Sequence, residues 1–224
     1  MNIEKQNELV LVFKKELMYG FQGLLTDKYP KSLDLFGISK NSTDIDWFRN
    51  CLRNSFFLPR GEVEDNPEYK QIIPYIVLKN GDRYFTYSRD GAETRLKGSL
   101  SVGVGGHVNI GDLGTDMSTL VRNAARREYK EEISSPESYS SSLLLMGDLG
   151  MIPRAVMYAG SPDSTAVNKV HFAAVYTVRV SDDLSESVDL KEEGKKLGWI
   201  PEKELWGCWD ELETWSQIVV HSCL

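Results

Sequence analysis

Two runs of strand-forming residues on either side of a tight-turn signal constrain this chain more than any other feature. Residues 71–79 (QIIPYIVLK) and 83–89 (RYFTYSR) flank Asn80-Gly81-Asp82. An Asn-Gly step between apolar, β-branched and aromatic runs predicts a β-hairpin, because it supplies the positive φ that a two-residue turn requires. Pro74 inside the first run removes a ladder donor, which predicts an edge position or a bulge. An isolated hairpin is marginal in water, so further strands or a helix must cover it.

The rest of the chain supplies that cover. Residues 99–108 (SLSVGVGGHV) read as a glycine-rich strand running into a loop. Residues 117–133 form the clearest helix, with Val121, Ala125, Tyr129 and Ile133 recurring every four positions on the face that would meet a core. The serines at 134–142 read as a loop. Strands are expected near 142–146 and 170–180. A short strand at 198–201 leads into a helical turn at 202–205, and a helix closes the chain at 210–221. Upstream, a strand is expected within 8–17 and a helix over 44–53, capped by Ser42 or Thr43. Residues 60–68 (RGEVEDNPE) are polar and turn-rich, and they make the natural join between an N-terminal portion and the rest. Strands of this kind with few, separated helices predict an α/β or α+β sandwich.

Composition narrows the function classes. The 224 residues suit one large domain, or one domain with an extension, and can bury a sizeable core. Lys+Arg 26 against Asp+Glu 33 leaves a charge of −7, which argues against general nucleic-acid binding and against a basic membrane-surface patch. Cys51, Cys208 and Cys223 form no CxxC pair, and His107, His171 and His221 lie far apart in sequence, so no local zinc motif is present. No run approaches the roughly 20 apolar residues of a membrane span, and the N-terminus lacks the features of a signal peptide. A cytoplasmic protein with reduced thiols is the expectation.

The chemistry concentrates on Arg126-Arg127-Glu128-Tyr129-Lys130-Glu131-Glu132-Ile133. At helical spacing Glu128, Glu131 and Glu132 project from one side. Carboxylates crowded in this way repel one another unless a cation is held among them. Mg²⁺ and Mn²⁺ take such oxygen ligands and complete their shells with water and phosphate oxygens. Arg127, one residue before Glu128 and four before Glu131, is placed to steady a carboxylate. Gly105-Gly106 ends the glycine strand about twenty residues upstream, where bare backbone can approach a metal or phosphate. A solvated glutamate face is the plainer reading of the same helix. The glycine loop tips the balance toward a metal–pyrophosphate site.

Gly106, Asp112 and Arg127-Glu128-Tyr129-Lys130-Glu131-Glu132 together resemble the Nudix box, G-x5-E-x7-R-E-U-x-E-E-x-G-U with U a bulky apolar residue. The similarity spans roughly residues 70–206, including Gly198-Trp199-Ile200-Pro201 and the Glu204-Leu205 pair near its end. It is similar also to a subgroup of phosphoesterases whose N-terminal portion is part of the same unit. The resemblance implies a Nudix-type α/β/α sandwich with a mixed sheet and a catalytic helix over residues 70–224. An α/β extension over residues 1–69 would pack on it. It implies hydrolysis of a nucleoside diphosphate linked to another moiety, with Mg²⁺ or Mn²⁺ held by Gly106, Glu128, Glu131 and Glu132. Glu128, Glu131 and Arg127 would be the catalytic group. Gly105, His107, Arg95 and Glu93 are the candidate substrate contacts, with a structural histidine equally open for His107 and a surface ion pair equally open for Glu93 and Arg95. Glu193 is one candidate general base, although an exposed charged loop is the plainer reading of its surroundings. A small nucleotide or other diphosphate would be the partner, and the N-terminal extension leaves room for a homodimer.

The box is not followed throughout. Its first glutamate falls on Asp112 when counted from Gly106 and on Thr119 when counted back from Arg127. Fourteen residues rather than seven therefore separate Asp112 from Arg127, which is a seven-residue insertion at 113–119. Ser134 and Ser135 replace the glycine and apolar residue after the helix, removing the easiest left-handed cap. These departures keep a non-catalytic nucleotide sensor open as the alternative. An isomerase acting on an isoprenoid diphosphate is weaker, because no cysteine lies near the glycine strand. His171, in the apolar run 170–178, reads as a satisfied core histidine.

Overall fold

The computed structural model describes residues 3–20, 37–39, 42–89, 98–136, 155–158, 166–191 and 194–222. The chain divides into two compact units, one from Met1–Pro74, Gly106–Ala124 and Met151–Val175, the other from Tyr75–Gly105, Ala125–Gly150 and Tyr176–Leu224. The strand expected at 142–146 lies outside the described residues.

The first unit is organised around the strand Leu9–Lys14, in which Val10, Leu11, Val12 and Phe13 are all buried. An unbroken apolar run of this kind suits a strand covered on both faces. It pairs antiparallel with Phe56–Pro59, and with the start of Tyr69–Asn80 through Val12↔Gln71 and Lys14↔Tyr69. The strand is shorter than expected because Lys15–Gly20 winds into a 3₁₀ helix. The helix Ser42–Arg53 buries Ile45, Phe48, Cys51 and Leu52 at helical spacing. Phe172 lies 5.5 Å from the rings of Phe13, Trp47 and Phe48. Trp47 Nε1 donates to the Leu17 carbonyl at 2.9 Å, which satisfies the half-buried indole. Burial pushes the Cys51 thiol up to about 12, so it packs as an inert apolar group. Residues 60–68 hold a helical turn at Arg60–Val63, with Val63 buried and Arg60 bonded to Glu8 and Glu64. A strand at Ala155–Tyr158, unpredicted by sequence, pairs with Gly37–Ser39 and with Ala173, Ala174 and Val175 of the strand His171–Arg179.

In the second unit the expected hairpin forms between Tyr69–Asn80 and Arg83–Ser88. The pairs Lys79↔Tyr84 and Asn80↔Arg83 leave Gly81 and Asp82 as the turn, with φ +59° at Gly81. Glycine at the first central position is what a type II′ turn uses, so Asn80 belongs to the ladder rather than the turn. Pro74 does not lie on an edge strand. Its strand is internal in the sheet order, and Pro74 falls between the ladder made by residues 69–71 and the ladder made by residues 75–77. The neighbouring strand His171–Arg179 is tied to Tyr69–Asn80 at two places in one sense. Lys70 Nζ donates to the Lys169 carbonyl, and Val180 N donates to the Lys79 carbonyl at 2.7 Å. These two strands therefore run parallel, and the sheet is mixed, as expected.

The expected glycine strand is two short ones, Leu100–Ser101 on Arg83–Ser88 and Gly103–Gly105 on residues 75–77. The final strand, Lys195–Pro201, is longer than predicted and shifts register between Lys196 and Gly198, where Gly198 takes φ +104°. The turn Glu202–Leu205 follows as expected. The closing helix is split into a 3₁₀ segment, Trp206–Glu211, and a helix, Thr214–His221. Leu212 and Glu213 are both extended where the two segments part, and Glu213 uses the break. Its buried Oε1 accepts from Tyr75 Oη at 2.8 Å, Ser101 Oγ at 2.6 Å and Ser216 Oγ at 3.1 Å, and Ser216 Oγ accepts from Val102 N at 2.9 Å. This network fastens the closing helix to the glycine strands. Burial, reinforced by the Glu213 charge, pushes the Tyr75 hydroxyl well up. Among the described residues no helix is long and apolar enough to cross a membrane.

Gly103 is required by contact rather than by conformation, since a Cβ there would lie 2.4 Å from the Tyr75 ring. Gly103→Ala should cost about 1–3 kcal/mol in urea denaturation. Gly207→Ala, where an added Cβ meets nothing within 4 Å, should stay within about 0.5 kcal/mol of wild type. Equal effects would contradict this packing.

Candidate functional site

The helix that carries the acidic cluster spans Met117–Glu132, one residue short of expectation. Its start is capped by Asp116, whose carboxylate accepts from Thr119 N at 2.9 Å and from Thr119 Oγ1 at 3.1 Å. The Thr119 amide bond leads the contributions that hold the Asp116 carboxyl below its ordinary value. The inserted residues fold back on this end. The Leu113 carbonyl accepts from Asn123 Nδ2, and a Cβ on Gly114 would lie 2.6 Å from Leu120 N.

At the other end Ser134 stands where a glycine cap was expected, and the structure supplies a different stop. Ile133 and Ser134 turn directly into a ladder with Leu190 and Asp189. Lys191 N donates to the Glu132 carbonyl at 2.9 Å, and Lys191 Nζ donates to the Lys130 carbonyl. Two carbonyls left open by the helix end are thereby satisfied, and the ammonium suits the negative end of the helix dipole. Tyr129 Oη donates to Ser135 Oγ at 3.2 Å, and burial pushes that phenol up.

Between these caps Arg127 Nη1 donates to Glu128 Oε1 at 2.6 Å and to Glu131 Oε2 at 3.0 Å. Glu128 is 7% exposed, Glu131 lies open to solvent and Glu132 is half-buried. A carboxylate as buried as Glu128 needs a cationic partner, whereas the more exposed Arg127–Glu131 pair contributes little to stability. One guanidinium thus holds two of the three expected carboxylate ligands side by side. Glu128 and Glu131 each engage Arg127 through one oxygen, and hard carboxylate oxygens suit Mg²⁺ or Mn²⁺. Among the described residues no group of three or more His, Cys, Asp or Glu side chains forms a complete metal cluster. A divalent ion on this helix would therefore draw the rest of its shell from water and phosphate, the usual Mg²⁺ pattern.

The other expected residues are distributed as follows. Gly105 ends the strand Gly103–Gly105 opposite Tyr75 in the second unit, while Gly106 and His107 belong to the first. Glu93, Arg95 and Glu193 lie outside the described residues. Asp112, one candidate for the first box glutamate, is buried and holds a short 3₁₀ turn. Its Oδ2 accepts from Asn109 N at 2.8 Å, while Asn109 Oδ1 accepts from Gly111 N at 2.9 Å. Thr119, the other candidate, sits in the capped first turn. His171 is buried in the first unit as expected, with Nδ1 2.9 Å from the Val167 carbonyl. Sequence reasoning missed its partner, because His171 Nε2 lies 3.3 Å from His107 Nε2 across 64 positions of chain.

No family model matches the chain. The crystal structure of Tm1382, a candidate Nudix hydrolase, superposes with a TM-score of 0.59 at 24% identity, covering 97% of this chain and 98% of that one. A bifunctional NMN adenylyltransferase/ADP-ribose pyrophosphatase from Francisella tularensis, solved with AMP and a Mn ion, overlaps at TM-score 0.46 and 13% identity, over 69% of this chain and 42% of that one. The fold is α/β of the Nudix type. Protein YmaB of Bacillus subtilis (strain 168) is 31% identical over 166 residues, 72% of this chain and 74% of YmaB, and the chain belongs to the YmaB family.

The two ends of this ion-pair arrangement should be unequal. Arg127→Met removes a guanidinium from a nearly buried carboxylate and should lower stability by about 1–3 kcal/mol. Lys191→Met at the exposed helix end should cost about 0.5 kcal/mol. Urea denaturation of both variants checks the order, and a reversed order would contradict it.

Proposed function

We propose that this chain is a Mg²⁺- or Mn²⁺-dependent hydrolase that cleaves the pyrophosphate linkage of a nucleoside diphosphate joined to another moiety. The observation that carries the reading is the Arg127 bridge between Glu128 and Glu131 on the long helix of a Nudix-type fold. When bound, the ion would neutralise the pyrophosphate and lower the pKa of a coordinated water. The chain's own part is positioning. Arg127 sets the rotamers of Glu128 and Glu131, and Glu132 adds a third carboxylate one residue further on. The Gly106 carbonyl joins the ligand set, and Gly105, His107, Arg95 and Glu93 contact substrate. Residues 70–224 act as the hydrolase domain, with 1–69 as an extension packed on it. The ladder Val12↔Gln71 to Lys14↔Tyr69 supports that packing. A cytoplasmic location and a homodimer complete the proposal.

A panel of nucleoside diphosphate derivatives, assayed with each metal and with products identified, tests the reading. Turnover should require Mg²⁺ or Mn²⁺. Glu131→Gln and Glu132→Gln should each lower kcat by on the order of 100-fold with the fold intact. Metal-independent turnover, or unchanged rates in both variants, would move the chemistry elsewhere. Tight nucleotide binding without product would make the protein a sensor.

A further inference from the structure

The proposed hydrolase chemistry makes no use of the contact between His107 and His171. We propose that the Nε2 atoms of His107 and His171 form a binding site for one borderline transition-metal cation of the Zn²⁺ class.

The distance is the first support. The two nitrogens are 3.3 Å apart, with ring centroids 5.3 Å apart and ring planes at 66°. That separation is long for a strong hydrogen bond. It matches the span of two nitrogens on a tetrahedral ion, since two bonds of about 2.05 Å at that angle separate their ends by about 3.3 Å.

The aim of His171 is the second support. A carbonyl can only accept, so Nδ1, 2.9 Å from the Val167 oxygen, carries the proton. In the neutral ring Nε2 is then the lone-pair atom, and it points at His107. Val167 lies in the helical turn Ala166–Val170 immediately before the strand His171–Arg179, so the fold sets this orientation without a ligand. A backbone carbonyl on the outer nitrogen is how metal-ligating histidines are commonly oriented. His171 is 6% exposed, so the ring is held against rotation by packing as well.

The chemistry separates this pair from the acidic helix. Neutral imidazole nitrogens suit Zn²⁺ and its neighbours, while Mg²⁺ and Mn²⁺ prefer oxygen. Metal entry requires no net proton loss. The ion needs His107 in the form whose Nε2 is unprotonated, while His171 keeps the tautomer that it already has. Among the described residues no third His, Cys, Asp or Glu completes the set, so water or an anionic ligand would fill the remaining positions.

Titration calorimetry of the full chain with ZnCl₂, in millimolar Mg²⁺ to occupy oxygen sites, tests the proposal. Wild type should take one Zn²⁺, and His171→Gln and His107→Gln should each weaken that binding at least about tenfold. Co²⁺ should give the intense visible bands of a tetrahedral site in wild type and lose them in both variants. Equal binding in all three proteins, or none in wild type, would overturn it. If His171→Gln fails to fold by circular dichroism, the half-buried His107→Gln decides the result alone.

Discussion

A nearly buried glutamate is the constraint to which the candidate site answers. Glu128 lies on the face of the helix that also buries Ala125 and Tyr129, where an ionised carboxylate is costly unless a cation meets it. Arg127 meets it at 2.6 Å and reaches Glu131 with the same nitrogen, so one short ion pair orders the acidic face. A carboxylate pair held by a guanidinium before any ligand arrives loses little rotamer freedom when a cation binds.

The helix ends show how the same fold tolerates departures from the box pattern. A glycine cap is one solution to unsatisfied carbonyls, and the Lys191 amide and ammonium are another. The insertion at 113–119 is likewise absorbed locally, by the Asp116 cap and by the Asn123 bond to Leu113. Neither change alters a carboxylate of the acidic face. Elsewhere in the second unit, Glu213 places a buried charge beneath the glycine strands and surrounds it with three hydroxyl donors. That carboxylate serves architecture, fastening the closing helix to the glycine strands.

Legibility from sequence followed the range of the forces involved. The hairpin at Gly81, the helix from Met117 and the turn at Glu202 are set by local spacing and turn chemistry, and they were readable. The position of Pro74 between two ladders was not readable, because it depends on which partners pair along the strand. The closing helix was misread because Leu212 and Glu213 leave helical geometry, and Glu213 answers Tyr75, 138 residues away. The acidic face was legible as an i, i+3, i+4 pattern. The histidine pair was not, because 64 residues separate its members and neither sits in a local ligand motif.

The central claim is that the acidic face of this helix is a divalent-cation site. Anomalous diffraction from crystals of the full chain grown with Mn²⁺ tests it most directly. The account predicts a manganese peak within about 2.0–2.2 Å of carboxylate oxygens of Glu128 and Glu131. A manganese-saturated crystal with no peak on this helix and both carboxylates still closed on Arg127 would contradict it.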